Sequence, residues 1–488
     1  MKVTLVGANL ELEQVNRALA DPGCRPHLSP EPIAAAYARI SRSERSVEEL
    51  RREARENVDK ARKSNRTIVF EMGHASIAEH ASFNFDLEGI SRLAIEAVEH
   101  SRLASYTERS QRYVLIGADI VVPDEVRDAS GFVPRYLEAV DVLHQGYRRL
   151  VEGLVDHHVR QAGGEASLDK GRRRDIDTAA REDARYLLPL ATAGQLGLTL
   201  NARSLESMIR RLRGHSLSEI RWISERLEEE ALAVTPSLVR HTTPWEWEEP
   251  QEAHPGAFDA VATQLPGSVE PSRSATGSDV ASPVRAVLLY STPSPAGLLL
   301  GGIRFERGGT PFSPGGRDSG RDFGAVADAW FSGAGVHAPA PRSFELVDFL
   351  FELTCSAACF GQLKRHRMAT LLAAPYDPGI GPMVPPSVRE AGLEPDFLRI
   401  LASVRPHLDE ARRRLGPAAD YLLSNAHCRR VLFKTSLREL VHIARLRLDR
   451  HAQWEIRDLA GQMCRLAVER LPEMEPWLCG KDSFPGRS

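Results

Sequence analysis

The chain aligns with itself, and that repeat limits the fold more than any local pattern. At an offset of 265 residues Ser91 falls on Ser356, Arg102 on Arg367 and Ala104 on Ala369, so HSRLAS lies over RHRMAT. At an offset of 235, Ala184 falls on Ala419, Tyr186-Leu187-Leu188 on Tyr421-Leu422-Leu423, Arg203 on Arg438 and Leu205 on Leu440. The first copy is therefore 30 residues longer between the two blocks. Similar apolar openings, MKVTLVGA and VRAVLLYS, begin the two copies. A chain of 488 residues is long for one core, and self-similarity on this scale predicts two copies of one folding unit. The expected organisation is a first repeat over 1–240, a linker over 241–282 and a second repeat over 283–488. The linker is inferred from its Pro, Gly, Ser, Thr and acidic residues without apolar periodicity.

Within each copy the pattern alternates between strand and helix. Lys2 to Ala8 reads as a strand, and Phe83, Phe85 and Leu87 alternate with polar residues as a half-buried strand does. Residues 30–64 and 131–160 read as helix, with Ser46 followed by Glu48 and Glu49 at an N-cap. Gly89 and Ser91 open a further helix, VLIGADIVVP reads as a strand and GGEASLDKGRRRDID as an exposed turn. Leu205, Met208, Ile209, Leu212, Ile220, Ile223 and Leu227 fall on a helical stripe whose role is core packing. The expected class is α+β, each repeat a mixed sheet packed by long helices. The Gly-rich segment near Gly308 reads as a loop.

A formal net charge of −3 argues against the pervasive positive field of a nucleic-acid-binding protein. Six cysteines lie scattered without a CxxC pair, which fits reduced thiols and predicts neither a metal site nor a disulfide framework. Cys355 and Cys359, four apart in an apolar helix-like run, read as core. No apolar run reaches the length of a membrane span and no cleavable leader is evident, so a cytoplasmic location is expected.

Local chemistry concentrates in HSRLASYTERSQRY, residues 100–113. Arg102, Glu108, Arg109, Ser110, Arg112 and Tyr113 crowd forked cations, hydroxyls and one carboxylate into a short stretch, a donor set that suits a phosphorylated ligand. Read as residues alone, the stretch serves equally as a solvated, charge-rich turn. The two copies do not duplicate it. Glu108, Ser110 and Arg112 correspond to Ala373, Pro375 and Asp377, whereas Ala97, His100 and Leu212 correspond to Gln362, Arg365 and Arg447. Each copy keeps what the other has discarded.

At these residues the chain resembles the flavin-dependent thymidylate synthases, whose signature runs RHRxxSxNExSxRY. The first copy matches at Arg102, Ser105, Glu108, Ser110, Arg112 and Tyr113 but has His100-Ser101 for Arg-His and Thr107 for Asn. The second has Arg365-His366-Arg367 intact, with Pro375 where the last Ser belongs. GHASIAEHASFNFDLEGISR, REDARYLLPLATAGQLGLTLNARSL and LRLDRHAQWEIRDLA also look like family blocks.

The resemblance implies reductive methylation of dUMP to dTMP. Methylenetetrahydrofolate gives the carbon, NADPH reduces FAD, and no side-chain nucleophile is required. It implies that Glu108, Ser110, Arg112, Arg185, Gln362 and Arg365 bind dUMP, with Arg447 catalytic through polarising the uracil. It assigns FAD to His74, Ser76, Glu79, Arg102, Asn201, Arg203, Arg365, His366 and Arg367. The family's tetrameric sites imply here a homodimer of tandem repeats, with sites shared between the two repeats and dUMP and folate as partners. Plainer roles stand beside these: Arg365 to Arg367 follow a helix whose dipole favours cations, and Asn201 and Arg203 serve equally to cap a helix. A non-catalytic nucleotide- or flavin-binding scaffold, and a flavoenzyme acting on another pyrimidine nucleotide, are the alternatives.

Overall fold

Two four-stranded sheets with one topology carry the chain in a computed structural model, which describes residues 1–488 except 22, 24–25, 246–284, 309–310, 313–318 and 486–488. The strands are β1 Lys2–Ala8, β2 Ser82–Ser91, β3 Ala104–Glu108 and β4 Ala193–Asn201, then β5 Arg285–Ser291, β6 Asp348–Ser356, β7 Thr370–Ala373 and β8 Cys428–Ser436. Their orders are β1-β2-β4-β3 and β5-β6-β8-β7. The registers correspond as well. Ser91 faces Ala193 as Ser356 faces Cys428, which reproduces the offsets of 265 and 235. A β-bulge breaks β1 between Leu5 and Gly7 and its counterpart breaks β5 between Leu288 and Tyr290. One difference is local: Gly89, at φ +68°, is an extra residue where β2 shifts register against β4. It takes the left-handed conformation that glycine tolerates best.

The α+β class is therefore observed, as two copies of one fold. The expectation of a mixed sheet is corrected, because among the described residues every strand pairing is antiparallel. The alternation itself carried the reason. Phe83, Phe85 and Leu87 are buried while Asn84, Asp86 and Glu88 are exposed, the one-sided pattern of an antiparallel strand rather than the two-sided burial of a parallel one. The apolar sides of the strands and the stripe on helices Ala202–Arg213 and Ser218–Val234 are buried together in the core, with Leu205, Met208, Ile209, Leu212, Ile220, Ile223 and Leu227 at 0–1 % exposure. Each such side chain contributes about 1.5–3 kcal/mol by leaving water.

Other local readings change. Residues 30–64 form three helices, Glu31–Arg39, Val47–Glu56 and Val58–Arg66; Ser46 and Glu49 close a capping box at the second. The helix expected from Gly89 starts at Arg92, where Ser91 caps it. VLIGADIVVP contributes only the bridge Ile120↔Thr192. Part of the segment read as an exposed turn is helix Lys170–Ala184, with Asp169 accepting from Arg172 N as its N-cap. Cys355 lies in β6 and Cys359 in helix Ala357–Leu363, both buried. Helix Val133–Gln161 is as expected. Most of the linker reading falls on 246–284, outside the described residues; of the loop near Gly308, residues 309–310 and 313–318 also do, and helix Ser319–Gly333 follows.

The described residues of Met1–Gln145, Pro189–Leu265 and Ile400–Leu423 form one compact unit, and those of Gly146–Leu188, Pro266–Arg399 and Ser424–Ser488 a second. The first contains β1–β4 and the second β5–β8. Each unit also takes a segment from the other half of the sequence. In the first, Leu190 N donates to Leu423 O at 2.7 Å and Ala191 N to Tyr421 O at 3.0 Å. In the second, Asn425 N donates to Leu188 O at 2.9 Å and Ala426 N to Tyr186 O at 2.8 Å.

Candidate functional site

In the second unit β6 runs into helix Ala357–Leu363, capped by Ser356, and the chain leaves that helix at Arg365-His366-Arg367. Arg365 and Arg367 are exposed and His366 is buried between them. Arg447, in the last turn of helix Leu437–Arg447, donates through Nε to His366 Nε2 at 2.9 Å and through Nη2 to Gln362 O at 3.1 Å. The other ring nitrogen, Nδ1, lies 3.3 Å from Glu439 Oε1. Gln362 Nε2 donates to Gln453 Oε1 at 3.4 Å, an oxygen that also caps helix Trp454–Val468.

The exchanged segment brings Arg185 and Tyr186 into this unit. Tyr186 Oη accepts from Gln453 Nε2 at 2.8 Å and donates to Glu455 Oε2 at 2.5 Å. Asn425 donates to the Arg185 carbonyl at 2.9 Å, and Trp454 stacks on Tyr186 while donating to Asp183. Burial raises the Asp183 carboxyl to about 6, against the hydrogen bonds from Ser387 and Trp454. Thus Arg185, Gln362, Arg365 and Arg447, four of the residues expected at one nucleotide, lie in one unit although their sequence comes from both repeats.

The remaining nucleotide residues lie in the first unit, at the end of β3. Glu108 accepts from Arg92 at 2.8 Å, Ser110 Oγ accepts from Arg112 N at 3.1 Å, and the Arg112 guanidinium lies 5.5 Å from the Tyr113 ring centre. Arg102 is exposed just before β3.

The flavin candidates divide in the same way. His74 and Ser76 line a cavity of about 710 Å³ in the first unit, beside Arg39, Arg42 and Arg45. Glu79, in the same turn, accepts from Arg203 at 2.6 Å, and Asn201 accepts from Ser204 N as the N-cap of helix Ala202–Arg213. The capping role open for Asn201 is thus occupied. Arg365, His366 and Arg367 belong to the second unit.

Sequence reasoning missed the cavity's basic wall. AYARISRSERS carried the signal, three arginines and three serines in a few residues, but helical periodicity hid the break at the short turn Ile40–Arg42. Glu53 ties this wall together, accepting from Lys60 at 2.6 Å and Arg45 at 2.8 Å with Arg39 at 3.4 Å; the hydrogen bond from Lys60 leads in holding its carboxyl below the ordinary value. The Glu439, Gln453 and Tyr186 contacts were missed as well, since each joins distant segments.

Chemically, the second unit offers fixed guanidinium and amide groups around Gln362, and the cavity offers cations and hydroxyls suited to phosphate. Neither presents a poised nucleophile. Cys355, Cys359, Cys428 and Cys464 are buried, and burial pushes the Cys464 thiol up to about 12. Among the described residues no group of His, Cys, Asp and Glu is arranged to hold a metal ion, and no helix is long and apolar enough to cross a membrane.

The profile of the family described as thymidylate synthase complementing protein matches residues 26–237 and 336–473. A flavin-dependent thymidylate synthase of Clostridium tetani is 28% identical over 219 residues, 44% of this chain and 83% of its own length. The UPF0159 protein Ta1429 of Thermoplasma acidophilum is 22% identical over 486 residues, 93% of this chain and 94% of its own. Among solved structures, the UMP/dUMP methylase PolB of Streptomyces cacaoi bound with 5-Br dUMP is 21% identical with a TM-score of 0.33, over 49% of this chain and 92% of that one.

Proposed function

This chain belongs to the thymidylate synthase complementing protein family, and from that membership we propose that it is a cytoplasmic flavin-dependent thymidylate synthase. In this reading it converts dUMP to dTMP with methylenetetrahydrofolate as carbon donor and NADPH as reductant. The observation that carries it is the second unit's network, in which Arg447 is fixed on His366 and Gln362 in the unit that also receives Arg185. A guanidinium fixed by two of its nitrogens is suited to withdrawing charge from a uracil carbonyl as the ring is attacked. Arg185 and Arg365, with Ser110 and Arg112, supply phosphate donors, and Glu108 and Gln362 supply acceptors for the sugar or base.

The residues present fit FAD. The cavity has the size of a cofactor pocket, and Arg39, Arg42, Arg45, His74 and Ser76 give it a cationic, hydroxyl-bearing lining that matches a pyrophosphate. His74 and Ser76 would hold the cofactor there, and Glu79, Asn201 and Arg203 would stiffen the adjoining turn. When bound, FAD supplies the hydride chemistry that side chains lack. The homodimer expected from the repeats belongs to the same proposal; sedimentation tests it, with a mass of twice the chain expected and a monomer mass overturning it.

The test is dUMP-dependent NADPH oxidation in the presence of methylenetetrahydrofolate and FAD, with identification of the product. Formation of dTMP supports the reading. A methylated nucleotide other than dTMP identifies a different pyrimidine substrate, and nucleotide binding without oxidation leaves the scaffold alternative.

A further inference from the structure

The two copies provide an internal comparison. Some buried polar contacts recur in both: Ser91, Glu219 and Tyr421 in the first unit are matched by Ser356, Glu455 and Tyr186 in the second. What recurs in both copies serves the fold they share. Another set occurs once. Glu439, His366 and Arg447 correspond to Ser204, Ser101 and Leu212, so all three are present in one copy and all three absent from the other. The fold of the first unit forms without them, so their joint presence in the second calls for a joint function.

Their geometry supplies it. Arginine has only donors, so the Arg447 Nε–H to His366 Nε2 bond at 2.9 Å requires that Nε2 carry no proton. The ring proton then sits on Nδ1 and donates to Glu439 Oε1 at 3.3 Å. Burial in the first place, with Arg447 and His442 nearby, lowers the His366 pKa against the opposing pull of Glu439, which keeps the ring neutral near pH 7. Glu439 is the third residue after the cap Ser436, where a glutamate often turns back to close a capping box. Here its Oε1 faces His366 instead.

We propose that Glu439 is a positioning residue that fixes the tautomer of His366 and thereby aims the Arg447 guanidinium at the pyrimidine. This rests on the nucleotide-binding role given to Arg447 above. It also reassigns His366, expected at FAD, to service of Arg447. With the carboxylate gone, Nδ1–H loses its acceptor, so the Arg447 donor alone still disfavours the tautomer that carries its proton on Nε2, a form that points a donor at a donor.

The test uses the full-length chain labelled with ¹⁵N-histidine, with His366→Asn to assign the signal, alongside dUMP-dependent NADPH oxidation. The wild type is expected to show Nδ1–H at His366. Glu439→Leu should shift the tautomer population toward Nε2–H and lower kcat/KM for dUMP about ten- to hundred-fold, the range for loss of a partner that orients a histidine. Glu439→Gln, which keeps an acceptor oxygen, should preserve the tautomer and stay within a few-fold. If Glu439→Leu does not fold, Glu439→Asp withdraws the acceptor by one methylene and is read in the same way. A wild-type ring protonated on Nε2, a tautomer unmoved by losing the carboxylate, or a moved tautomer with unchanged kcat/KM would each overturn the proposal. An Nδ1–H tautomer that shifts as expected in a chain inactive toward dUMP supports the relay and rejects the nucleotide reading instead.

Discussion

Tyr186 donates its phenolic hydrogen to the buried carboxylate of Glu455 at 2.5 Å, across 269 positions of sequence. The equivalent pair in the first unit, Tyr421 and Glu219, stands at 2.7 Å across 202 positions. Both glutamates also accept from the N–H and Oγ–H of the serine that caps the next helix, Ser356 or Ser91. Burial pushes both carboxyls up despite these donors, so each tyrosine supports a group that water no longer solvates.

Removing that donor leaves an acceptor short in a dry site. Tyr186→Phe and Tyr421→Phe should each destabilise by about 1–3 kcal/mol, read as a lower urea midpoint. Tyr186→Phe also deprives Gln453 Nε2 of its acceptor, so it should be the costlier of the two. Equal, negligible shifts would show that these pairs do not support the fold.

The strands and helices around these pairs were legible because period-two and period-3.6 apolar patterns are local. Phe83, Phe85 and Leu87 announced β2 directly. The repeat was legible because like residues recur at fixed offsets, with Gly89 costing one residue of register inside β2. The pairings were not legible, since nothing near Tyr186 indicates that its partner is Glu455. Nor was the arginine-lined cavity, where a helical pattern ran through the turn at Ile40–Arg42. Candidate residues could be named singly; which of them share a unit was a matter of the exchanged segments.

Acid stability should carry the mark of His215. Burial, aided by Arg211 and Arg221, lowers its pKa to about 4, and its Nδ1 accepts from Leu217 N at 3.1 Å. The unfolded chain binds this proton first, so the contribution is fully present above the ordinary value near 6.5 and is lost as pH falls from there toward 4. The loss is on the order of 3 kcal/mol, from roughly 1.4 kcal/mol per pKa unit. His215→Asn should flatten this limb of the stability–pH curve, and an unchanged limb would assign it to other groups.

Flavin affinity should depend on the cavity's cations. Arg45→Ala and His74→Ala are expected to weaken FAD binding about ten-fold or more, measured by flavin fluorescence, the scale of one charge-assisted hydrogen bond. Arg45 is exposed at the rim, so its contribution should fall with added salt. Affinity unchanged in both variants would place the cofactor elsewhere.

Substitution at Arg447 should cost activity, and substitution at its first-copy counterpart Leu212 should cost stability. Arg447→Lys keeps the charge but loses the planar fork, so one ammonium must replace donors directed separately to His366 Nε2 and Gln362 O. It should lower kcat/KM for dUMP by about a hundred-fold or more, the effect of removing one electrostatic donor, with the circular dichroism spectrum retained. Leu212→Arg instead places a charge at a position with 0 % exposure. Its neighbours there include neither a histidine at 101 nor a glutamate at 204, because serines stand at both. An uncompensated buried charge costs about 3–5 kcal/mol, so this variant should lose stability without gaining activity. A stable Leu212→Arg chain with a second active site would show that the first copy lacked only its arginine, whereas destabilisation shows that the whole relay must be present for that arginine to be held.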